Sequence, residues 1–219
     1  MRSCAEYVAL ICISGLASCA PRMALDPAGK GAVRPNISVG GPMVSAFGTY
    51  VPIPNLALGA RYGITSNTDL GANVYVLPMA FQMGAIDAGA IWYFGVGENV
   101  KLALEPRCLV FISLKPGVSH SPLVYPAMLA TMSEPLGSGR GYFGLDVVPL
   151  LYGSDFDLDP PAMAVSASIG YRWELGAGYR LTTEVKWIGF NIRTDATVEY
   201  VHPLRYGAIA PLIGLEFPW

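Results

Sequence analysis

Apolar and polar positions alternate with a period of two along most of the chain. Over residues 56–64 one face carries Leu56, Leu58, Ala60, Tyr62 and Ile64, and the other carries Ala57, Gly59, Arg61 and Gly63. The pattern recurs over 165–175, where Val165, Ala167, Ile169, Tyr171, Trp173 and Leu175 oppose Ser166, Ser168, Gly170, Arg172 and Glu174. Such alternation predicts β-strands with one apolar face. The connections between strands alternate in length. Short turns fall at 66–69, 95–99, 137–140 and 176–178; longer ones bearing Pro or Asp fall at 51–55, 77–84, 114–122, 153–161 and 191–204. An all-β, up-and-down antiparallel barrel of about ten strands is expected, with short turns at one end and long loops at the other. An even count puts both chain ends on the short-turn side.

Composition decides which face looks outward. The chain is 53% hydrophobic and only 14% charged, so a great deal of apolar surface must be placed somewhere. Were the apolar face turned inward, as in a soluble lipocalin-like carrier, the wet surface would be the face holding Gly59, Gly63, Gly71, Gly89, Gly170 and Gly214. A solvated face carries more charge than that. The apolar face is therefore expected to meet lipid, and small residues to line a crowded interior. After residue 20 no stretch is apolar for the roughly 18 residues a spanning helix needs, so lipid is met by strands. Trp92, Phe94, Tyr171, Trp173, Tyr179 and Trp219, with Phe143 and Phe217, fall on the apolar face near the short turns or the C-terminus. They are expected to form an interfacial aromatic girdle. Trp187 and Phe190 fall near the opposite end.

With that orientation the lumen holds Arg61, Lys101, Arg107, Arg172, Arg180 and Lys186 as bases. Its acids are Asp87, Glu105, Glu134, Asp146, Glu174, Glu184 and Glu216. Ionisable groups at membrane depth are costly unless paired or wetted, so this near-balance predicts a salt-bridge network filling the lumen. A selective open pore carries an excess of one sign. Strand number points the same way, because about eight strands enclose only side chains and open porins need about sixteen. A largely plugged barrel is expected.

The ends of the chain carry resemblances. Arg2, an apolar core over 7–15 and the run Leu16-Ala17-Ser18-Cys19 read as a signal peptide over 1–18. The last four of these residues resemble the lipobox of bacterial lipoproteins, which implies cleavage before Cys19 and acylation (palmitate among the chains) of that cysteine. The alternative is an ordinary secretory signal cleaved after Ala17 or Ala20. Ala20 is not the aspartate of an inner-membrane retention signal. Residues 19–40, rich in Pro, Gly and Ala without a clean period, are expected to be a lipidated periplasmic tether leading into a barrel over 41–219. Cys4 and Cys12 leave with the signal, so Cys108 stays alone and no intramolecular disulfide is expected. At the other end Ile209, Pro211, Ile213, Leu215, Phe217 and Trp219 alternate to the final aromatic residue. This resembles the C-terminal β-signal of bacterial outer-membrane proteins. The resemblance implies recognition by the barrel-assembly machinery and residence in the Gram-negative outer membrane, with both termini periplasmic. Pro218 must then sit where no ladder hydrogen bond is needed.

Candidate chemistry is thin. A net charge of −2 supplies no field for nucleic acid. Ser119, His120 and Ser121, with His202 near Asp195 and Glu199, supply the residue types used by small outer-membrane lipid hydrolases and acyltransferases. No Gly-x-Ser-x-Gly elbow accompanies them, and ordinary loop residues are the expected reading, with no catalytic group assigned. Two His and Cys108 offer no metal-ligand spacing. Asp155, Asp157 and Asp159 lack the Gly and terminal Glu of an EF-hand, so no metal or cofactor is expected. The favoured function is structural or loop-mediated, with loops contacting membrane lipid, lipopolysaccharide or a partner. The alternatives are a narrow channel or pocket for a small apolar ligand near Pro78, Met79, Phe81 and Met83, a lipid-modifying enzyme, and the soluble carrier. Oligomeric state is left open.

Overall fold

In the computed structural model the described residues are 20–46, 49–115, 122–149, 163–193 and 200–219. The alternating segments form strands β1 (Val33–Gly40), β2 (Met43–Ala46), β3 (Thr49–Pro52), β4 (Asn55–Gly63), β5 (Thr68–Tyr75), β6 (Met83–Val96), β7 (Val100–Ser113), β8 (Leu123–Leu136), β9 (Gly139–Pro149), β10 (Met163–Leu175), β11 (Tyr179–Arg193) and β12 (Tyr206–Glu216). Ten of them, β1 and β4 to β12, pair in chain order into a closed antiparallel barrel. Strand β1 closes it by pairing with both β4 and β12, so that Ile37 stands opposite Leu58 on one side and Leu215 on the other. Closure gives each of the ten barrel strands two neighbours, and β2 and β3 form a separate two-stranded sheet. Among the described residues no helix is long and apolar enough to cross a membrane.

The short turns draw on residues that tolerate positive φ. Gly97, Gly137 and Gly178 lie at +75°, +58° and +82°, and Ala177 joins them at +55°. At the opposite end sit the β2–β3 hairpin, the single-turn helix Leu77–Ala80 and the 3-10 turn Pro203–Arg205. Strand β12 ends at Glu216; the Phe217 N–H donates to the Pro35 carbonyl at 2.9 Å, and Pro218 falls beyond the ladder.

Adjacent residues settle the orientation of the wall. Ala57 is 1% exposed and Leu58 47%; Leu129 is 7% exposed and Met128 48%. Tyr62, Leu70, Trp92, Phe143, Ile169, Val185 and Ile213 are exposed on the outside, while Arg61, Asp69, Asp146, Ser168, Arg172, Thr182 and Glu184 are buried inside. Around the short-turn end Trp92, Phe94, Tyr179 and Trp219 are exposed, Tyr171 meets Trp173 edge-on at 4.7 Å, and Tyr179 meets Phe217 at 6.0 Å. Trp187 and Phe190 pack at 5.6 Å towards the long-loop end.

Two expectations change. Residues 19–40 are not a tether over their described part: Val33–Gly40 is a barrel strand, so the barrel begins before residue 41. Residues 20–28 lie inside the lumen, with Arg22, Met23, Ala24, Leu25 and Ala28 buried. Glu134 is the second change, being exposed like Met128 and Met132 on β8 while Thr131 and Ser133 are buried, so it does not face the lumen.

Candidate functional site: the occupied lumen

Residues 20–28, Ala-Pro-Arg-Met-Ala-Leu-Asp-Pro-Ala, have no ladder of their own, so their backbone groups need other partners. Pro21 and Pro27 remove two donors and hold their φ angles near a single value. The Arg22 N–H donates to Glu184 Oε2 at 2.9 Å, the Leu25 N–H to the Met23 carbonyl at 3.1 Å, and the Ala28 N–H to Asp69 Oδ2 at 3.0 Å. The chain then reverses through Gly29 and Gly31, both at positive φ, and the Gly31 N–H bonds the Gly63 carbonyl at 2.8 Å before β1 begins.

Direction follows from these partners. Ala28 touches Asp69 at the short-turn end of β5, Arg22 lies against the middle of β8 to β11, and Ala20 packs with Ala57, Tyr75, Ala85 and Phe111 near the long loops. The segment thus runs the length of the lumen, with residue 20 at the long-loop mouth. Cys19 lies outside the described residues.

The inward charged side chains form four groups. Around Arg22, the guanidinium pairs with Asp146 and donates to Ser168 Oγ at 3.0 Å and Thr131 Oγ1 at 2.6 Å. Lys186 also pairs with Asp146, and Tyr142 donates to Glu184 at 2.8 Å. Around Asp26, Lys101 approaches at 2.5 Å, Arg172 pairs directly and Arg140 stands at 3.8 Å; Arg172 also reaches Glu174 at 2.8 Å. From Arg61, Nη2 meets Glu216 at 2.5 Å and Nη1 meets Asp69 at 2.8 Å, the Tyr93 hydroxyl at 2.8 Å and the Asp26 carbonyl at 3.0 Å. Arg180 ties Glu216 at 2.9 Å to Glu174 at 3.0 Å, linking the second and third groups. On the facing wall Arg107 bridges Glu105 at 2.5 Å and Asp87 at 3.3 Å, and Tyr75 donates to Asp87. Among the described residues each of these charges is paired or hydrogen-bonded, as a low-dielectric interior requires.

Towards the long loops the lumen turns apolar, with Ala57, Tyr75, Ala85, Leu109, Phe111, Ala127 and Leu129 packed in one layer. Beside the segment a cavity of about 50 Å³ is left, room for a few waters. The inward glycines make space for the segment. A Cβ on Gly144 would run into the Arg22 guanidinium, one on Gly63 into the Gly29 carbonyl, and one on Gly214 would come within 2.8 Å of Pro21 and 2.9 Å of Met23.

Sequence reasoning brought together Arg61, Asp87, Lys101, Glu105, Arg107, Asp146, Arg172, Glu174, Arg180, Glu184, Lys186 and Glu216; the structure puts these on the inward face, with Lys101 and Glu174 open to solvent at the short-turn mouth. It missed Arg22, Asp26, Arg34, Asp69 and Arg140. Arg22, Asp26 and Arg34, whose guanidinium stands 3.7 Å from Glu216, fell in the expected tether, and Asp69 and Arg140 were assigned to turns although each is the second residue of its strand. The signal available was a single Arg and a single Asp four residues apart in an otherwise apolar run. Ser119, His120, Ser121, Asp155, Asp157, Asp159, Asp195 and Glu199 lie outside the described residues. Cys108 is a free cysteine on an exposed position of β7. Among the described residues no group of His, Cys, Asp or Glu is arranged to hold a metal ion.

A closed antiparallel barrel with apolar residues outside and paired charges inside is a transmembrane-type β-barrel. No family model and no curated protein matches the chain. Among solved structures it is similar in fold to the NanC porin, at 6% identity and TM-score 0.49, over 86% of this chain and 100% of that one. It is also similar to the translocator domain of the autotransporter NalP from Neisseria meningitidis, at 15% identity and TM-score 0.45, over 89% of this chain and 91% of that one. A third likeness is to Ail, the attachment invasion locus protein of Yersinia pestis, at 10% identity and TM-score 0.29, over 87% and 99%.

Proposed function

We propose that this chain is a small outer-membrane barrel, closed to solutes by its own N-terminal segment, that works at its long-loop face as a structural or interaction protein. The observation that carries this reading is the passage of residues 20–28 through the lumen, with both of its charges paired to the wall. An open pore conducts through a wetted lumen, whereas the cavity beside this segment has room for a few waters. The outward apolar belt gives the barrel its place in lipid. Membrane lipid and lipopolysaccharide are the partners nearest to the belt and loops, and the alternating strand β12 is the segment offered to the barrel-assembly machinery. With the short turns periplasmic, the C-terminus is periplasmic too, and the N-terminal segment enters the lumen from that side at Ala28 and reaches the outer mouth at Ala20. An acyl chain on Cys19, the residue before Ala20, then belongs at that outer mouth, and the N-terminus is not on the periplasmic side that the sequence led us to expect.

Planar-bilayer recording tests it. The purified full chain is expected to give no large, stable conductance, while showing heat-modifiable gel mobility after outer-membrane fractionation. Steady open-channel current from the intact chain would sink the closed-barrel reading, and a monodisperse detergent-free chain would sink the membrane placement.

A further inference from the structure

The lumen is closed by a piece of chain, and the wall is shaped and charged to receive it. Ten strands enclose more room than wall side chains fill, and the surplus is the width of one extended strand. Two wall sites of opposite sign lie along its path. The first, at mid-depth, joins Asp146, Glu184, Ser168, Thr131 and Tyr142, keeps one acid in excess over the base Lys186, and takes the guanidinium and backbone N–H of Arg22. The second, towards the short turns, joins Lys101, Arg140 and Arg172, and takes the carboxylate of Asp26. Beside the first site Gly144 and Gly214 are hollows that a methyl group would block. Among the described residues, the turn at Gly29–Gly31 is the covalent link between the segment and the wall.

We infer that the lumen is a peptide-binding site, filled in cis by residues 20–28 and able to take an equivalent strand in trans. Its ligand class is an extended peptide with a basic side chain followed four residues later by an acidic one, entered with the acidic end towards the short turns. This inference rests on the closed-barrel reading and extends it: the closure is a ligand in its site rather than a fixed part of the wall. The opposed charges also set polarity, because a strand inserted the other way would put its carboxylate against Asp146 and Glu184.

The experiment starts from the intact chain. A site-specific protease sequence is inserted at the exposed Lys30, the full chain is folded into lipid, and the turn is cut. Before cutting, no steady current is expected; a current at that stage overturns the closed-barrel reading and this one with it. After cutting and removal of the released segment, steady current is expected. An acetylated peptide of residues 20–28 should then close the barrel. The same peptide carrying Arg22→Glu and Asp26→Lys should need about a hundredfold higher concentration, since each change sets like charges together in a buried site. Two results would overturn the inference while leaving the closed-barrel reading intact. One is a stripped, heat-modifiable barrel that still passes no current; the other is equal block by the two peptides. Should the cut segment stay bound, the uncut chain carrying Arg22→Glu and Asp26→Lys gives the same reading by repulsion. Steady current there supports a separable ligand, and persistent closure refutes it.

Discussion

The outward and inward faces of the same ten strands obey opposite rules. Outside, the strands present Leu58, Ile169, Val185 and Ile213 to their surroundings and keep no ion pair at mid-strand among the described residues. Inside, Arg61, Asp146, Arg172 and Glu216 are buried together and each finds a partner of opposite sign. In a water-soluble barrel the two sets exchange places, because the hydrophobic effect rewards removing apolar surface from water. The inversion is the pattern of a barrel whose exterior solvent is hydrocarbon, and it moves the packing problem inward. A polar lumen must be closed by mutual pairing, and here the pairing is completed by a segment that belongs to no strand.

The largest expected effect comes from breaking the inward rule. Replacing Arg61 by Ala leaves Asp69 and Glu216 buried with their strongest partner gone, although Tyr93 still reaches Asp69 and Arg180 still reaches Glu216. Loss of about 3–5 kcal/mol is expected, the range for stripping one partner from a buried pair. Urea unfolding in lipid vesicles, followed by tryptophan fluorescence, measures it. Adding Asp69→Asn to the same chain should recover part of the loss, and no recovery would mean that Arg61 acts through packing alone.

Breaking the outward rule should cost somewhat less. Ile169 lies midway along β10, between Phe143 and Val185 on the neighbouring strands, and is 66% exposed. Ile169→Lys at that depth should cost about 2–4 kcal/mol in a bilayer, whereas Leu175→Lys, at the short-turn end of the same strand, should cost about 0–1 kcal/mol. Equal and small effects at both positions would mean that the belt does not lie in hydrocarbon.

What could be read from the sequence follows from where period-two information exists. Strands such as Asn55–Gly63 and Met163–Leu175 alternate without interruption, so their existence, facing and connection lengths are legible, and with them the closed count of ten. The lumen charges on those strands are legible for the same reason. Asp69 and Arg140 were lost at strand ends, where a shift of one residue moves a side chain from wall to turn. Glu134 was misplaced because Pro126 and Pro135 blur the alternation along β8. Residues 20–28 were lost for a deeper reason. A strand that threads a barrel alone is surrounded on all sides, so it has no reason to alternate, and its Pro, Ala and Met read like a linker. Burial of Arg22 and Asp26 is a long-range fact, made by partners more than 70 residues away in sequence.

The smallest and most discriminating change is a single methyl group on either side of β9. Gly141 and Gly144 lie on opposite faces of that strand. A Cβ at Gly141 would approach the flexible end of Leu136 at 3.3 Å, while one at Gly144 would strike the Arg22 guanidinium. Leu136 is exposed and can turn away, so Gly141→Ala should change stability by no more than about 0.5 kcal/mol. Arg22 has no comparable freedom, because moving it strains the bonds to Ser168, Thr131 and Asp146 together; Gly144→Ala should cost about 1–3 kcal/mol. The same substitution should also loosen the segment, giving brief current openings that Gly141→Ala lacks. If both variants are equally stable and equally silent, Arg22 does not lie over Gly144, and the wall was not hollowed to hold it.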